Sequence, residues 1–284
     1  MESQRKMESQ RIGTVEVRKT SWPRRLAEIV LGPWVVQRRL PVSSGAGRIV
    51  VSGRVGGLKF LLKPASRWDM SLLNVARAMV RRGNVVWDIG ANLGLFARAA
   101  AFHAGAEGFV LAVEADADAV ALLRRTAVLV EPDHARIAVL PVAVADTCGV
   151  VQFDIAARAR AANAIRGFGS TQTGGVRETR LLPSLPLDAL LSHFPAPDVV
   201  KIDVEGAEIG VLAGARRLLT ACRPMVYCEV QDYTRRQAVQ LLEDGGYTVF
   251  DGDRFAVQGA LLPVNDRTSN VIALPRDAES GDAG

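Results

Sequence analysis

Asp88-Ile89-Gly90-Ala91-Asn92-Leu93-Gly94 decides the fold of this chain. The apolar run Val85-Val86-Trp87 leads into it, and an alanine-rich stretch leads out through His103. The segment therefore reads as the turn between a buried strand and a helix. Gly90 and Gly94 allow the close backbone approach and unusual φ that such a turn demands. Beyond it, strands and helices alternate. Strands fall at 109–114, 136–144, 150–155, 198–204, 224–230, 247–250 and 270–274, and helices at 116–130, 187–191, 208–219 and 233–244. Apolar strands separated by amphipathic helices indicate a mainly parallel sheet covered on both faces, a Rossmann-like α/β fold. Ligands of such sheets bind beyond the carboxyl ends of the strands.

The composition suits one α/β domain with extensions: 284 residues, 49% hydrophobic and 23% charged. Residues 1–21 read as a disordered polar tail that repeats MESQR, so that Met1 and Met7 are both candidate starts. Residues 22–80 read as a helical arm over 22–40, a hairpin over 48–63 and a lead-in helix over 69–81. The α/β domain proper takes 81–275, and 276–284 is a loose tail. The net charge of +5 is spread over Arg pairs on different elements, such as Arg24-Arg25, Arg124-Arg125 and Arg216-Arg217. That distribution fits solvated faces rather than a nucleic-acid footprint. Cys148, Cys222 and Cys228 form no metal-ligand spacing and suit a reducing compartment. No apolar signal segment opens the chain, and the run 26–36 is broken by Glu28 and Gly32-Pro33, too short for a membrane span. The expectation is a cytoplasmic protein whose arm packs on its own body or on a second copy, as a homodimer.

The turn at 88–94 departs from the G-x-G-x-x-G of dinucleotide sites and opens with an acid. Asp88 suits a ligand with a cationic amino-acid end, as in S-adenosylmethionine, whose ammonium it attracts. Glu114, twenty residues after Gly94, ends the next strand and can accept both ribose hydroxyls. Ala145-Asp146, after the third strand, stand where an amide and a carboxylate can read the adenine edge. The expected cofactor set is Asp88, Gly90, Asn92, Gly94, Glu114, Ala145 and Asp146.

Methyl transfer to oxygen needs positioning and removal of the acceptor proton. His103, His134 and His193 all lie on helix-to-strand connections, at the wrong end of the sheet. The ligand rim carries Asp203, Glu205, Glu208 and Glu229 instead, and the alternation of Lys201, Asp203 and Glu205 allows them one face. Asp203 or Glu205 takes the proton in this reading, and Glu229 orients the acceptor. In a second version Asp203 and Glu229 hold a divalent cation such as magnesium, which acidifies the hydroxyl. Asp188 reads as a helix cap, and Glu205 and Glu208 also suit a helix N-terminus. The stretch 156–180 reads as a long loop over the acceptor, offering Asn163, Arg166, Ser170 and Thr171.

Together with Val113-Glu114, Leu187-Asp188, Glu229 and Asn270-Val271-Ile272-Ala273, the glycine turn and the segment Lys201-Ile202-Asp203-Val204-Glu205-Gly206-Ala207-Glu208 resemble the FkbM-type S-adenosylmethionine-dependent methyltransferase family. The resemblance runs from about 66 to 275. It implies O-methylation of a small-molecule hydroxyl, on a secondary metabolite such as a polyketide or on a sugar or glycolipid. It also implies a seven-stranded sheet with one antiparallel edge strand. The family usually carries a proline soon after the acid of the second strand, where this chain has Ala115-Asp116. An RNA methyltransferase is the main rival, but Asp203-Val204-Glu205-Gly206 lacks the proline and aromatic that hold a flipped base. A non-catalytic cofactor-binding scaffold would have no use for the rim of acids, and the turn argues against an NAD oxidoreductase.

Overall fold

The computed structural model describes residues 34–41, 47–53, 55, 58–65, 68, 70–156, 163–168 and 175–276. The tail 1–21, the arm over 22–33, Ser170, Thr171 and 277–284 lie outside the described residues.

The chain opens with β1 (Val35–Arg39) and β2 (Arg48–Ser52), then α1 (Leu58–Leu62) and α2 (Met70–Met79). The α/β alternation follows as β3 (Val85–Ile89), α3 (Leu95–Ala104), β4 (Phe109–Glu114), α4 (Ala117–Ala127) and β5 (Arg136–Pro141). After four strands of a second sheet come α5 (Leu187–Leu190), β10 (Val199–Ile202), α6 (Glu208–Ala213), β11 (Met225–Glu229), α7 (Arg235–Asp244), β12 (Tyr247–Asp251), α8 (Gly252–Gln258) and β13 (Asn270–Pro275).

The main sheet has seven strands in the order β12-β13-β11-β10-β3-β4-β5. Pairs β11-β10, β10-β3, β3-β4 and β4-β5 are parallel, and β13 runs antiparallel to both its neighbours. This is the Rossmann-like α/β sheet that the sequence led us to expect. The resemblance implied an antiparallel strand at the edge, but β13 lies one place in from it. Val271, Ile272 and Ala273 are buried on both faces, as an interior strand requires, whereas Thr248 of the true edge strand β12 is exposed.

Alternate residues of each strand feed two separate cores, the period-two rule of a pleated strand. Val86, Val110, Ala112, Val199 and Ile272 pack with α2, α3 and α4. Trp87, Leu111, Val113, Val200 and Val271 pack with α5, α6 and α7. Strand order reverses at β3, with β4 on one side and β10 on the other, and a crevice opens at that switch point.

Two expectations are corrected. First, β2 pairs with β1 in antiparallel register, Val36 opposite Val51, and 58–62 is helix, so the hairpin lies over 35–52 rather than 48–63. The described part of the expected helical arm is therefore strand. Val35-Val36 are β-branched, and β2 offers them a complete hydrogen-bonding edge. Second, most of the described part of the expected loop 156–180 is sheet. Strands β6 (Ala143–Val144), β7 (Gly149–Ala156), β8 (Ala164–Ile165) and β9 (Val176–Leu185) form a second sheet in the order β6-β9-β7-β8. Most of β9 is solvent-exposed, so it carries no alternation to betray it.

Candidate active site

A cavity of about 740 Å³, its open mouth included, lies beyond the carboxyl ends of β3, β4 and β10. Its floor is the turn after β3. Gly90 has φ +75°, and a Cβ there would lie 1.8 Å from the carbonyl oxygen of Asp203. The two strand ends thus meet backbone to backbone: Asp203 N donates to Ile89 O at 3.0 Å, and Gly90 N and Ala91 N donate to Val113 O at 2.9 Å. Asn92 (φ +50°) and Glu205 (φ +53°) also hold left-handed backbone, and both line the cavity. Such conformations in side-chain-bearing residues persist where surrounding structure enforces them, and they concentrate at functional sites.

Glu114 lines the cavity with both oxygens engaged by the chain. Oε2 accepts from Asn92 N at 2.7 Å and Oε1 from Asp116 N at 2.8 Å. A carboxylate has about four acceptor positions, so both oxygens retain capacity toward the cavity. Burial raises the Glu114 carboxyl to about 7, against the pull of those two amides. The geometry fits a ligand diol, and the glycine floor leaves room for a second polar end.

Asp88 and Lys201 lie beneath this floor. Asp88 is completely buried, and Lys201 Nζ stands 3.3 Å from its Oδ1 and 3.2 Å from Asp203 Oδ2 while donating to Gly90 O at 2.9 Å. Burial pushes the Asp88 carboxyl up, with Lys201 opposing. Burial works against the Lys201 charge, but Asp203 and Asp88 more than offset it and leave the ammonium firmly protonated. Asp88 does not line the cavity, and Lys201 bridges it to Gly90 O. Gly94 also lies off the lining, at the N-cap of α3 with φ +83°.

The far wall differs from the one expected. Ala145 N donates to Leu185 O at 3.2 Å, Asp146 is exposed, and neither lines the cavity. The pairing of β6 with β9 turns that backbone away. Val142, Ala143 and Val144 form the wall, joined by Phe153 and Ile165 from the second sheet. Asn163 joins them too. Its Nδ2 donates to Asp116 Oδ2 at 2.9 Å, and its Oδ1 accepts from Ala156 N at 2.9 Å. Asp116, in the region where the family carries proline, caps α4 through Asp118 N and pairs with Arg180 at 3.1 Å. It clamps the second sheet to the cavity. Phe153 and Ile165 left no signal in the sequence, because their role depends on a sheet that folds across the chain. We expect Asn163→Ala to weaken cofactor binding about tenfold and to lower stability by about 1–3 kcal/mol, since it removes one hydrogen bond from a buried carboxylate and one from a buried amide. Titration calorimetry and urea unfolding measure the two effects.

On the near rim, Glu205 lines the cavity and Glu229 ends the neighbouring strand. Burial, then the Asp203 and Glu208 charges, raise Glu205 to about 7. Burial, then Asp203 and Glu205, raise Glu229 to about 8. Glu208 is buried, and its Oε1 accepts from Gly206 N at 2.7 Å, which closes the turn. Asp188 accepts from Arg217 N and Leu218 N at 2.9 and 2.8 Å and so caps the following helical turn. None of the three histidines lines this cavity. Arg166 pairs with Asp154 on the outer face of the second sheet. Among the described residues no group of three or more His, Cys, Asp or Glu is arranged to hold a metal ion, and Lys201 is the positive charge at Asp203. Nor, among them, is any helix long and apolar enough to cross a membrane.

The family model for the Methyltransferase FkbM domain matches residues 88–249. Among solved structures, the methyltransferase FkbM of Methylobacillus flagellatus KT is similar over 72% of this chain and 52% of its own, at 16% identity and TM-score 0.42. This chain thus spans about half the length of that protein. Precorrin-6y C5,15-methyltransferase of Geobacter metallireducens GS-15 is similar over 78% of this chain and 94% of its own, at 14% identity and TM-score 0.41. Aeropyrum pernix fibrillarin, solved with natively bound S-adenosyl-L-methionine, is similar over 68% and 66%, at 13% identity and TM-score 0.40. No curated protein matches the chain.

Proposed function

The chain belongs to the FkbM methyltransferase family, an S-adenosylmethionine-dependent one, and from that premise we propose that it methylates a hydroxyl oxygen of a small molecule. The observation that carries the reading is one cavity with Glu114 at one end and the acids Asp203 and Glu205 at the other. S-adenosylmethionine supplies an electrophilic methyl on a sulfonium: as the acceptor oxygen bonds to that carbon, the S–C electron pair stays on sulfur and the hydroxyl proton must leave.

In this reading Glu114 holds the ribose diol, and Val144, Phe153 and Asn163 wall the adenine. The Gly90–Asn92 turn takes the amino-acid end, and Asp88 sets its charge through Lys201. Glu205 receives the proton. It is held in left-handed backbone at the rim, and among the described residues it makes no ion pair, whereas Asp203 is tied to Lys201. Its carboxyl near 7 suits general-base work at neutral pH. Asp203 and Glu229 orient the acceptor. No step needs a divalent cation.

Glu205→Gln is expected to lower kcat about 10²–10⁴-fold with cofactor affinity little changed. A base must be ionised to act, so wild-type kcat/KM rises with pH through about 7 and levels off above it. The variant should lack that step. A variant with near-wild-type turnover would remove Glu205 from the role. Calorimetry on the wild type should show binding of S-adenosylmethionine and its demethylated product but not NAD, and Glu114→Ala should weaken the first two by roughly tenfold or more, the loss of one charged hydrogen-bonding group. Mass spectrometry of the acceptor locates the transferred methyl, and a methyl found only on nitrogen or carbon contradicts the proposal.

A further inference from the structure

The second sheet reaches the cavity through one row of side chains. Ile165, Phe153 and Arg180 stand directly opposite one another on β8, β7 and β9, and such partners point to the same face. Ile165 and Phe153 line the cavity, whereas Arg180, at the β9 end of the row, does not. We propose that Arg180 is a positioning residue: it latches this sheet to the N-terminus of α4 and thereby sets how tightly the cofactor is held. This rests on the placement of the adenine against Phe153 and Asn163 given above, and it adds what keeps that wall docked.

The guanidinium divides its donors between two elements. Nε and Nη2 donate to Glu178, on its own strand, at 3.0 and 3.1 Å. Nη1 donates to Asp116 Oδ1 at 3.1 Å, and Nη2 reaches Asp118 Oδ2 at 3.4 Å. Glu178 thus fixes the plane of the fork, and the fork grips α4. Asp116 is the receiving point. Its side chain is only 4% exposed, and its other oxygen accepts from Asn163 Nδ2 at 2.9 Å, so two segments of the second sheet hold one carboxylate. The Asp116 amide donates to Glu114 Oε1 at 2.8 Å. A single residue therefore joins the wall to the carboxylate that takes the ribose. A proline at 116 could supply neither that amide nor the carboxylate that Arg180 grips.

The same sheet is also tied down by the short ladder of β6 with β9, at Ser184 and Leu185. Arg180 lies further along β9, beside the cavity-lining pair. Without it, Asn163 alone would hold the carboxylate of Asp116 from the sheet. Loss of one charged hydrogen-bonding contact shifts the docked population of the wall by about tenfold. A ligand that needs the docked wall then binds more weakly in proportion to the docked fraction. The signature is a weaker affinity with every site still present.

The test is titration calorimetry on the full chain with two probes. One is S-adenosylhomocysteine; the other is 5′-methylthioadenosine, which keeps the adenosine and lacks the amino-acid end. Arg180→Met should raise Kd about tenfold for both, with the number of sites unchanged. Arg180→Lys keeps the charge and loses the fork, so it should give a smaller rise, about threefold, and it carries the test should the methionine variant not fold. Arg166→Met is the control. It breaks the pair with Asp154 on the opposite face of the same sheet and should leave both affinities at the wild-type level. On the wild type, S-adenosylhomocysteine should slow amide exchange in β7 and β8. Wild-type Kd in a folded Arg180 variant, or an equal weakening by Arg166→Met, overturns the latch. So does a loss that spares 5′-methylthioadenosine, a loss of sites at unchanged Kd, or exchange in β7 and β8 that the bound ligand does not slow. Each of those leaves the cofactor reading standing. A wild type that binds neither probe overturns the cofactor placement itself.

Discussion

Lys201→Met should lower the unfolding free energy by about 3–5 kcal/mol, the typical loss when one member of a buried ion pair is removed. Lys201 is 3% exposed and Asp88 is fully buried, so the variant leaves a carboxylate in the interior with its cation gone. Gly90 O loses its donor in the same step, and the cofactor floor with it. Urea unfolding near pH 7.5 measures the loss. The effect has a pH signature. Burial already raises Asp88, and without Lys201 it rises further, so lowering the pH neutralises the stranded charge and narrows the gap to wild type. Asp88→Asn combined with Lys201→Met should recover much of the stability for the same reason. A single variant within about 1 kcal/mol of wild type, below the loss expected for a broken buried pair, would mean that the pair does not hold the floor.

Gly90→Ala should abolish measurable cofactor binding and destabilise the fold. Two effects combine. A side chain at φ +75° costs about 1–2 kcal/mol, and the added Cβ would stand 1.8 Å from Asp203 O, where only a backbone shift relieves it. That shift separates the ends of β3 and β10, which carry the two halves of the cavity. Gly83→Ala is the control. Gly83 also has positive φ, at +83°, but a Cβ there meets nothing within 4 Å. It should lose about 1–2 kcal/mol and bind the cofactor normally. Near-equal affinities of the two variants for S-adenosylmethionine would show that the close approach of the strand ends is not what makes the site.

Local pattern was enough to read the α/β alternation from Val85 onward, because buried parallel strands and amphipathic helices each carry their own periodicity. It also marked the glycine turn and the acids that end β4, β10 and β11, since side chains at strand ends inherit their position from the strand. What depends on distant pairing was not legible. Val35–Arg39 became a strand because Arg48–Ser52 lies beside it, and Val176–Leu185 because Gly149–Ala156 does. That second sheet turned Ala145 and Asp146 away from the cavity and put Phe153, Asn163 and Ile165 in their place. The strand order likewise placed Asp203 on the cavity lining and set Lys201 against Asp88. Periodicity and turn chemistry are written residue by residue and determined the class of fold and its ligand edge. Which wall closes the site and which acids stand beside Lys201 depend on contacts between segments far apart in the chain, and only the tertiary structure decided them.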